Sequence, residues 1–210
     1  MRLHVFPHSP NAMKVLATAY EVGLPFEGVL VDLLRGGQRS AAFTALNPNQ
    51  KMPVLEEDRF VLWESNAIAQ YLASREPERR LWPLDARRQA DVARWQFWET
   101  GHWGPTCGVY VFERVVKRFA NLGPANEAAV ARAEPDFHKH AAVLNAQLDG
   151  GRWIADADFT VADVSIGAWM VYAAQAGFPL DAYPAVTRWY ARLVERPAWQ
   201  KATSSQRSEG

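Results

Sequence analysis

Every segment of this chain that has the pattern of a β-strand lies before residue 64, and every later segment has the pattern of a helix. The apolar runs at 3–6, 26–33, 52–55 and 60–63 have the length and composition of strands. A helical pattern from Pro10 to about Val22 separates the first two runs, which predicts parallel strands with a right-handed crossover. The acidic turn between the last two runs predicts an antiparallel hairpin.

Further helical patterns divide the chain into an α/β part and an all-α part. Helices predicted at 40–46 and 66–74 complete the order βαβ, a short helix, then ββα. Residues 77–88 contain two prolines and several charges and are predicted to be a linker. The later patterns predict helices at 85–119, with a bend at Gly104-Pro105, and at 125–148, 161–176 and 184–194, before a short last turn.

These patterns predict two domains of different class. We expect an α/β domain over 1–76, an all-helical domain over 89–203 and a disordered polar tail over 204–210. Within the helical domain, Thr160 followed three residues later by Asp163 is typical of a capping box, which we favour over a catalytic role for Asp163.

Charge and cysteine content exclude several classes of function. Lys+Arg and Asp+Glu are both 23, so the formal net charge is zero and we expect neither nucleic acid nor a membrane surface as partner. The single cysteine, Cys107, excludes a disulfide within the chain and a cysteine-based metal site, and no metal is expected. The N-terminus lacks the apolar core of a signal peptide and no run reaches membrane-spanning length, which predicts a cytoplasmic protein.

The stretch "HSPNAMKV" at residues 8–15 joins the first strand to the first helix. Ser9 is predicted to be the N-cap, with its side-chain oxygen accepting a backbone hydrogen bond, and Pro10 suits the first helical position. A helix N-terminus also favours an anion, because its first N–H groups are unpaired. The pattern is therefore compatible with a structural role and with an anion site.

Four motifs resemble one known family. "SPNAMKV", "NPNQKMPVL" and "WESNAIAQYL" resemble the glutathione-binding domain of the cytosolic glutathione transferase superfamily, and "FTVADVSI" resembles the capping segment of its helical domain. The resemblance covers essentially the whole chain. It implies a thioredoxin-like N-terminal domain, a helical domain that supplies much of the electrophile pocket, a homodimer, and glutathione as co-substrate.

The resemblance assigns roles in binding glutathione to individual residues. Met52-Pro53 matches the family's cis-proline step, which exposes the Met52 backbone to pair with the tripeptide; a trans proline that opens an edge strand is the alternative. Glu64 matches the residue that receives the ligand's ammonium group. Ser65 matches the residue that binds its α-carboxylate at a helix N-terminus, although it could be only an N-cap. Lys51 and Gln38 match positions that contact the glycine-end carboxylate.

The resemblance also places the glutathione sulfur beside Ser9. In serine-type members a hydroxyl in this loop donates a hydrogen bond to the thiolate, and Ser9 matches it, while some bacterial and fungal relatives use the asparagine that Asn11 matches. We favour Ser9. Members that use a protein cysteine place it in this loop, where this chain has none, and no tyrosine precedes Tyr20.

The aromatic-rich helix after the linker is the candidate border of the second-substrate pocket. We expect Trp98, His102 and Trp103 to line an apolar pocket for an electrophile, with ordinary core and dimer packing as the alternative.

Together these features predict a homodimeric glutathione transferase of serine type, similar to bacterial theta-like or nu-like members. A glutathione-dependent disulfide or peroxide reductase, or a non-catalytic interaction protein on the same fold, is the alternative.

Overall fold

The computed structural model describes residues 1–78, 80–155 and 157–204, and it divides into two compact units. The first unit contains Met1–Pro83 together with the chain from Glu195 onward, and the second contains Leu84–Val194. Most of the tail predicted at 204–210 lies outside the described residues.

In the described part of the first unit, four strands form one mixed sheet in the order β2-β1-β3-β4. The strands are β1 (Arg2–Val5), β2 (Glu27–Leu30), β3 (Val54–Glu57) and β4 (Phe60–Trp63). β1 is parallel to β2, and β3 is antiparallel to both β1 and β4. The predicted parallel pair and the predicted hairpin are therefore confirmed.

Three helices within residues 1–78 accompany this sheet. They are α1 (Pro10–Val22), α2 (Ala41–Leu46) and α3 (Ser65–Ala73), with a 3₁₀ turn at Gly37–Arg39 before α2. α1 ends where Gly23 adopts a φ of 73°, a left-handed conformation that glycine reaches without steric cost. The order is the one predicted, and it is that of a thioredoxin-like domain. The core of this unit is built from buried aliphatic side chains of strands and helices, including Leu3, Leu55, Met13, Val15, Ile68 and Leu72.

The described part of the second unit is all helical. Its helices are α4 (Ala86–Trp98), α5 (Gly104–Val111), α6 (Lys117–Phe119), α7 (Glu127–Leu148), α8 (Val161–Met170), α9 (Ala173–Ala176) and α10 (Pro184–Val194). The helix predicted at 161–176 is thus interrupted after Met170. α4 begins inside the predicted linker, because Asp85 caps it by accepting from the N–H groups of Arg87 and Arg88.

The long helix predicted at 85–119 contains two π-helical turns, at Glu99–Trp103 and Phe112–Val116. The first lies directly before the Gly104-Pro105 step at which the sequence predicts a bend. A Cβ on Gly104 would lie 3.0 Å from the Glu99 carbonyl oxygen and 3.1 Å from Trp169 Nε1, so glycine permits this close approach. Because Gly104 has no Cβ, the Trp169 indole N–H can donate to Glu99 Oε1 at 2.6 Å.

The last helix, α11 (Pro197–Ala202), belongs to the first unit and not to the helical domain that the sequence predicts over 89–203. It packs against α1. The Arg196 guanidinium donates to both carboxylate oxygens of Glu21 at 2.7 Å, and Trp199 is buried. Sequence patterns assign a terminal helix to its neighbours along the chain and cannot detect such a return.

The capping box at the start of α8 is confirmed. Asp163 Oδ2 accepts from the Thr160 N–H at 3.0 Å and from its hydroxyl at 3.3 Å, and Asp163 Oδ1 accepts from the Ile154 N–H and the Trp189 indole N–H at 3.0 and 2.8 Å. Burial raises the pKa of the Asp163 carboxyl to about 6, although these four donors favour its charged form. Asp163 therefore has a structural role.

We predict that Asp163→Asn lowers the free energy of unfolding by about 3 kcal/mol, because the new amide turns N–H groups toward donors. The raised native pKa makes the contribution of Asp163 largest below its unfolded value of about 4, and this extra stability is lost as pH rises through about 6. The difference between wild type and variant should therefore shrink by about 1.4 kcal/mol per pH unit across that window.

Urea unfolding at several pH values measures this difference. Asp158→Asn removes an exposed acid of the same unit and should cost less than about 0.5 kcal/mol. A difference between wild type and Asp163→Asn that is constant with pH would contradict the predicted ionisation.

Candidate active site

The sheet register brings the predicted site segments to one edge. β3 is antiparallel to its neighbours and pairs Val54 with His4 of β1 and with Trp63 of β4. The start of β3 therefore lies beside the ends of β1 and β4. The segments that follow β1 and β4 and precede β3 contain Ser9 and Asn11, Glu64 and Ser65, and Lys51 to Pro53. Gln38 follows β2, which is parallel to β1 and ends at the same edge.

Ser9 occupies the N-cap position of α1, and Pro10 opens the helix as predicted. The predicted capping hydrogen bond of its side chain is wrong, because the Ser9 hydroxyl makes no such bond. The loop is held by its backbone, where the Ser9 N–H donates to the Phe6 carbonyl at 2.9 Å. A partly buried hydroxyl thus lies at a helix N-terminus without being used by that helix.

A polar cluster of Asn11, Lys14 and Ser65 connects the beginnings of α1 and α3. The Ser65 hydroxyl donates to Asn11 Oδ1 at 3.3 Å, and Lys14 Nζ donates to Ser65 Oγ at 3.5 Å. Lys14 is 1% exposed, whereas most lysines keep their ammonium group in water. Our sequence analysis missed this residue, although a lysine within the largely apolar run "AMKVLATA" is a visible signal.

The peptide bond between Met52 and Pro53 is cis, which confirms the prediction. The segment before it is held by Asn47, whose side chain is buried. Asn47 Nδ2 donates to the Lys51 carbonyl at 2.6 Å, and its Oδ1 accepts from the Asn49 N–H at 3.0 Å. Our sequence analysis did not single out Asn47. The structure shows that it fixes the backbone from which Lys51 and Met52 project.

Three other predicted ligand contacts lie at or near this edge with different environments. Lys51 and Glu64 are exposed. Glu64 precedes α3 with a φ of 71° and a ψ of 113°, a conformation that strains a residue with a side chain. Gln38 is partly buried, and its Oε1 has no hydrogen-bond partner among the described residues.

The residues predicted to line an electrophile pocket lie in the second unit. Trp98 contacts His102, with ring centroids 6.4 Å apart, and His140, at 5.9 Å. Burial and the neighbouring His102 lower the pKa of His140, which the sequence analysis did not single out. Trp103 is fully buried and donates its indole N–H to the Ile166 carbonyl at 3.3 Å. Trp103 is therefore a core residue, and its predicted contact with a ligand is not supported.

Cys107 is also buried in the second unit, and burial raises the pKa of its thiol. Within residues 1–78, 80–155 and 157–204, no three His, Cys, Asp or Glu side chains are grouped to hold a metal ion. No helix in the same ranges combines the length and the apolar character needed to cross a bilayer.

Comparison with known protein families identifies both parts of the chain. Residues 1–74 match the family model "Glutathione S-transferase, N-terminal domain", and residues 127–192 match "Glutathione S-transferase, C-terminal domain". Glutathione S-transferase GstB of Escherichia coli (strain K12) is 32% identical over 201 residues, which cover 92% of this chain and 93% of that protein. Disulfide-bond oxidoreductase YfcG of the same strain is 28% identical and covers 94% of this chain and 92% of its own.

Solved structures agree with the sequence comparisons. The theta class glutathione S-transferase from Xanthomonas axonopodis pv. citri, solved with glutathione bound, superposes with a TM-score of 0.85 at 29% identity and covers 96% of both chains. A glutathione S-transferase from Pseudomonas fluorescens superposes with a TM-score of 0.84 at 30% identity, covering 94% of this chain and 96% of that chain.

The backbone conformation of Glu64 gives a testable prediction. We expect Glu64→Gly to raise the free energy of unfolding by about 1 kcal/mol, because relief of strain exceeds the added entropy of the unfolded chain. Glu64→Ala is the matched control, since it removes the same charge but keeps a Cβ and therefore the strain. Denaturant unfolding measures both variants, and an equal gain in Glu64→Ala would contradict the prediction.

Proposed function

Because this chain belongs to the cytosolic glutathione transferase superfamily and is a glutathione transferase, we propose that it activates glutathione by a serine-type mechanism. In this mechanism the thiolate of bound glutathione attacks an electrophilic carbon of a small molecule. A carbon–sulfur bond forms, and the leaving group departs with its bonding electrons. The proposed type is similar to bacterial theta-like or nu-like members.

The observation that carries this proposal is the hydroxyl of Ser9 at the N-terminus of α1, which makes no capping hydrogen bond to that helix. A free thiol has a pKa of about 8.5 and is only a few per cent ionised at pH 7. A hydrogen bond from Ser9 and the partial positive charge of the helix both favour the thiolate, so they lower its pKa. Thiolate stabilisation and the proximity of two bound substrates would supply most of the rate gain.

The other residues at this sheet edge are proposed to bind the rest of the tripeptide. Ser65 would donate to the γ-glutamyl α-carboxylate at the start of α3, and Glu64 would receive the adjacent ammonium group. The Met52 backbone would pair with the extended ligand in the manner of a β-strand, and Lys51 and Gln38 would bind the glycine carboxylate. A carboxylate only accepts hydrogen bonds, so Gln38 would bind it through its Nε2 group and not through its Oε1, which has no partner among the described residues.

Trp98 and His102 remain the proposed contacts for the electrophile. We propose that this reaction detoxifies small electrophiles in the cytoplasm. This role and this location follow from the family alone.

Disulfide reduction is the second candidate, and Asn11 is the observation that favours it. Asn11 accepts the Ser65 hydroxyl through Oδ1, so its Nδ2 group can donate to a thiolate. The relative YfcG is named a disulfide-bond oxidoreductase. Two glutathiones would reduce one disulfide to two thiols and leave as glutathione disulfide, with no protein cysteine required.

We predict that Ser9→Ala raises the pKa of the bound glutathione thiol by about two units, because the thiolate loses its hydrogen-bond donor. The same variant should lower kcat/KM with an aryl halide by about 100-fold. An ultraviolet difference titration of the thiolate across pH measures this shift. Asn11→Ala is the matched variant and should change the pKa less.

The other outcomes separate the alternatives. If only Asn11→Ala abolishes the pKa shift and a disulfide substrate is turned over faster than the aryl halide, reduction replaces conjugation as the function. If the purified protein does not bind glutathione, the site serves neither reaction, and an interaction protein on this fold becomes the leading account.

A homodimer is part of the proposal, and the edge strand β4 supports it. Phe60, Val61 and Trp63 are 44%, 37% and 39% exposed, and an apolar edge strand left uncovered favours aggregation.

We predict that the chain sediments as a dimer and that Val61→Glu weakens the dimer by about tenfold or more. Val143→Glu introduces the same charge at a similarly exposed position on α7 and should leave the dimer intact. Sedimentation of the native chain as a monomer would remove the homodimer.

A further inference from the structure

Lys14 is the one Lys or Arg side chain that is buried in the part of the chain that the structure describes, with 1% of its surface exposed. Taking an ammonium group out of water is costly, so a buried lysine demands compensation from its surroundings. Its methylene groups are buried together with the other side chains of α1 from Ala12 to Ala19. An aliphatic residue could fill the same space. Packing alone therefore does not require a lysine here.

The position of the ammonium group indicates its use. Lys14 Nζ lies 3.5 Å from Ser65 Oγ, and Ser65 is the first residue of α3, a helix of nine residues. The first N–H groups of a helix favour an anion, and a full positive charge at the same end strengthens that preference. Ser65 Oγ accepts from Lys14 and donates its own proton to Asn11 Oδ1.

We propose that Lys14 is a positioning residue for glutathione, which holds the Ser65 hydroxyl from inside the protein and adds positive charge where the γ-glutamyl α-carboxylate binds. This inference depends on the proposed function, because it assumes that Ser65 binds that carboxylate. Lys14 itself acts through Ser65.

The hydrogen bonds of Ser65 explain how the three side chains work together. When a carboxylate arrives, the Ser65 proton turns from Asn11 Oδ1 to the ligand, while Lys14 continues to donate to Ser65 Oγ. A hydroxyl that accepts from an ammonium group is a stronger donor, because the accepted bond polarises its O–H group. The turn also releases the Asn11 amide, which lies at the start of the same helix as Ser9.

The test compares two ligands that differ only at the group that Lys14 serves. The first is glutathione, and the second is γ-aminobutyryl-cysteinyl-glycine, which lacks the α-carboxylate of the γ-glutamyl residue. Calorimetry gives Kd for both ligands with wild type, Lys14→Met, Lys14→Gln and Lys14→Arg. Lys201→Met is the matched control, because it removes an exposed lysine of the same unit.

We expect wild type to bind glutathione at least about tenfold more tightly than the analogue, since a charged hydrogen-bonded carboxylate is recognised. In Lys14→Met and Lys14→Gln, Kd should rise by about tenfold for glutathione and by less than about twofold for the analogue. Lys14→Arg should retain most of the preference, and Lys201→Met should retain all of it. If Lys14→Met does not fold, the neutral Lys14→Gln decides.

Two results would overturn the inference while glutathione binding stands. In the first, the neutral variants bind both ligands more weakly by the same factor, which is the result expected if Lys14 has a purely structural role. In the second, wild type binds the two ligands equally, so no carboxylate is recognised at Ser65. Failure of wild type to bind glutathione at all would instead refute the proposed function.

Discussion

The antiparallel pairing of β3 with both β1 and β4 is the constraint on which the candidate site depends. Val54 pairs with His4 on one side and with Trp63 on the other. Backbone hydrogen bonds therefore bring the segment after β1 beside segments that lie about forty and about fifty-five residues further along the chain. The pairing requires no side chain from any of them. Their polar side chains are left available for a ligand.

Two helices begin at this edge, and the proposed site lies at both of their N-termini. Ser9 stands at the start of α1 and Ser65 at the start of α3, so each hydroxyl lies where unpaired N–H groups carry partial positive charge. Glutathione offers two anionic groups that suit such positions, its thiolate and its γ-glutamyl carboxylate. Lys14 belongs to the first helix but donates toward the second, which links the two positions through one buried side chain.

The local patterns of this sequence predict most elements of the first unit and the capping box of the second. Alternation and apolar runs locate the strands, Gly23 marks the end of α1, and Thr160 with Asp163 specifies a capping box, because each depends on residues close in the chain. The cis peptide at Pro53 and the residues at the sheet edge were predicted through family motifs.

The remaining features depend on contacts between distant residues. Lys14 is buried and contacts Ser65, fifty-one positions later, and no periodicity encodes this contact. Trp103 lies in the core because α8 provides the Ile166 carbonyl to its indole. Ser9 is a residue type typical of an N-cap, but its side chain makes no capping hydrogen bond. The loop is held instead by the hydrogen bond from the Ser9 N–H to the Phe6 carbonyl. These outcomes are decided by packing and not by residue type.

The return of α11 to α1 has a consequence for how the protein is made. The first unit consists of two separate stretches of chain, with the whole second unit inserted between them. A ribosome delivers the sheet and α1 early, but Trp199 and Arg196 leave it only after more than a hundred further residues. Until then the surface of α1 that receives α11 has no cover. The α/β domain, although first in the sequence, is therefore the last to be completed during synthesis.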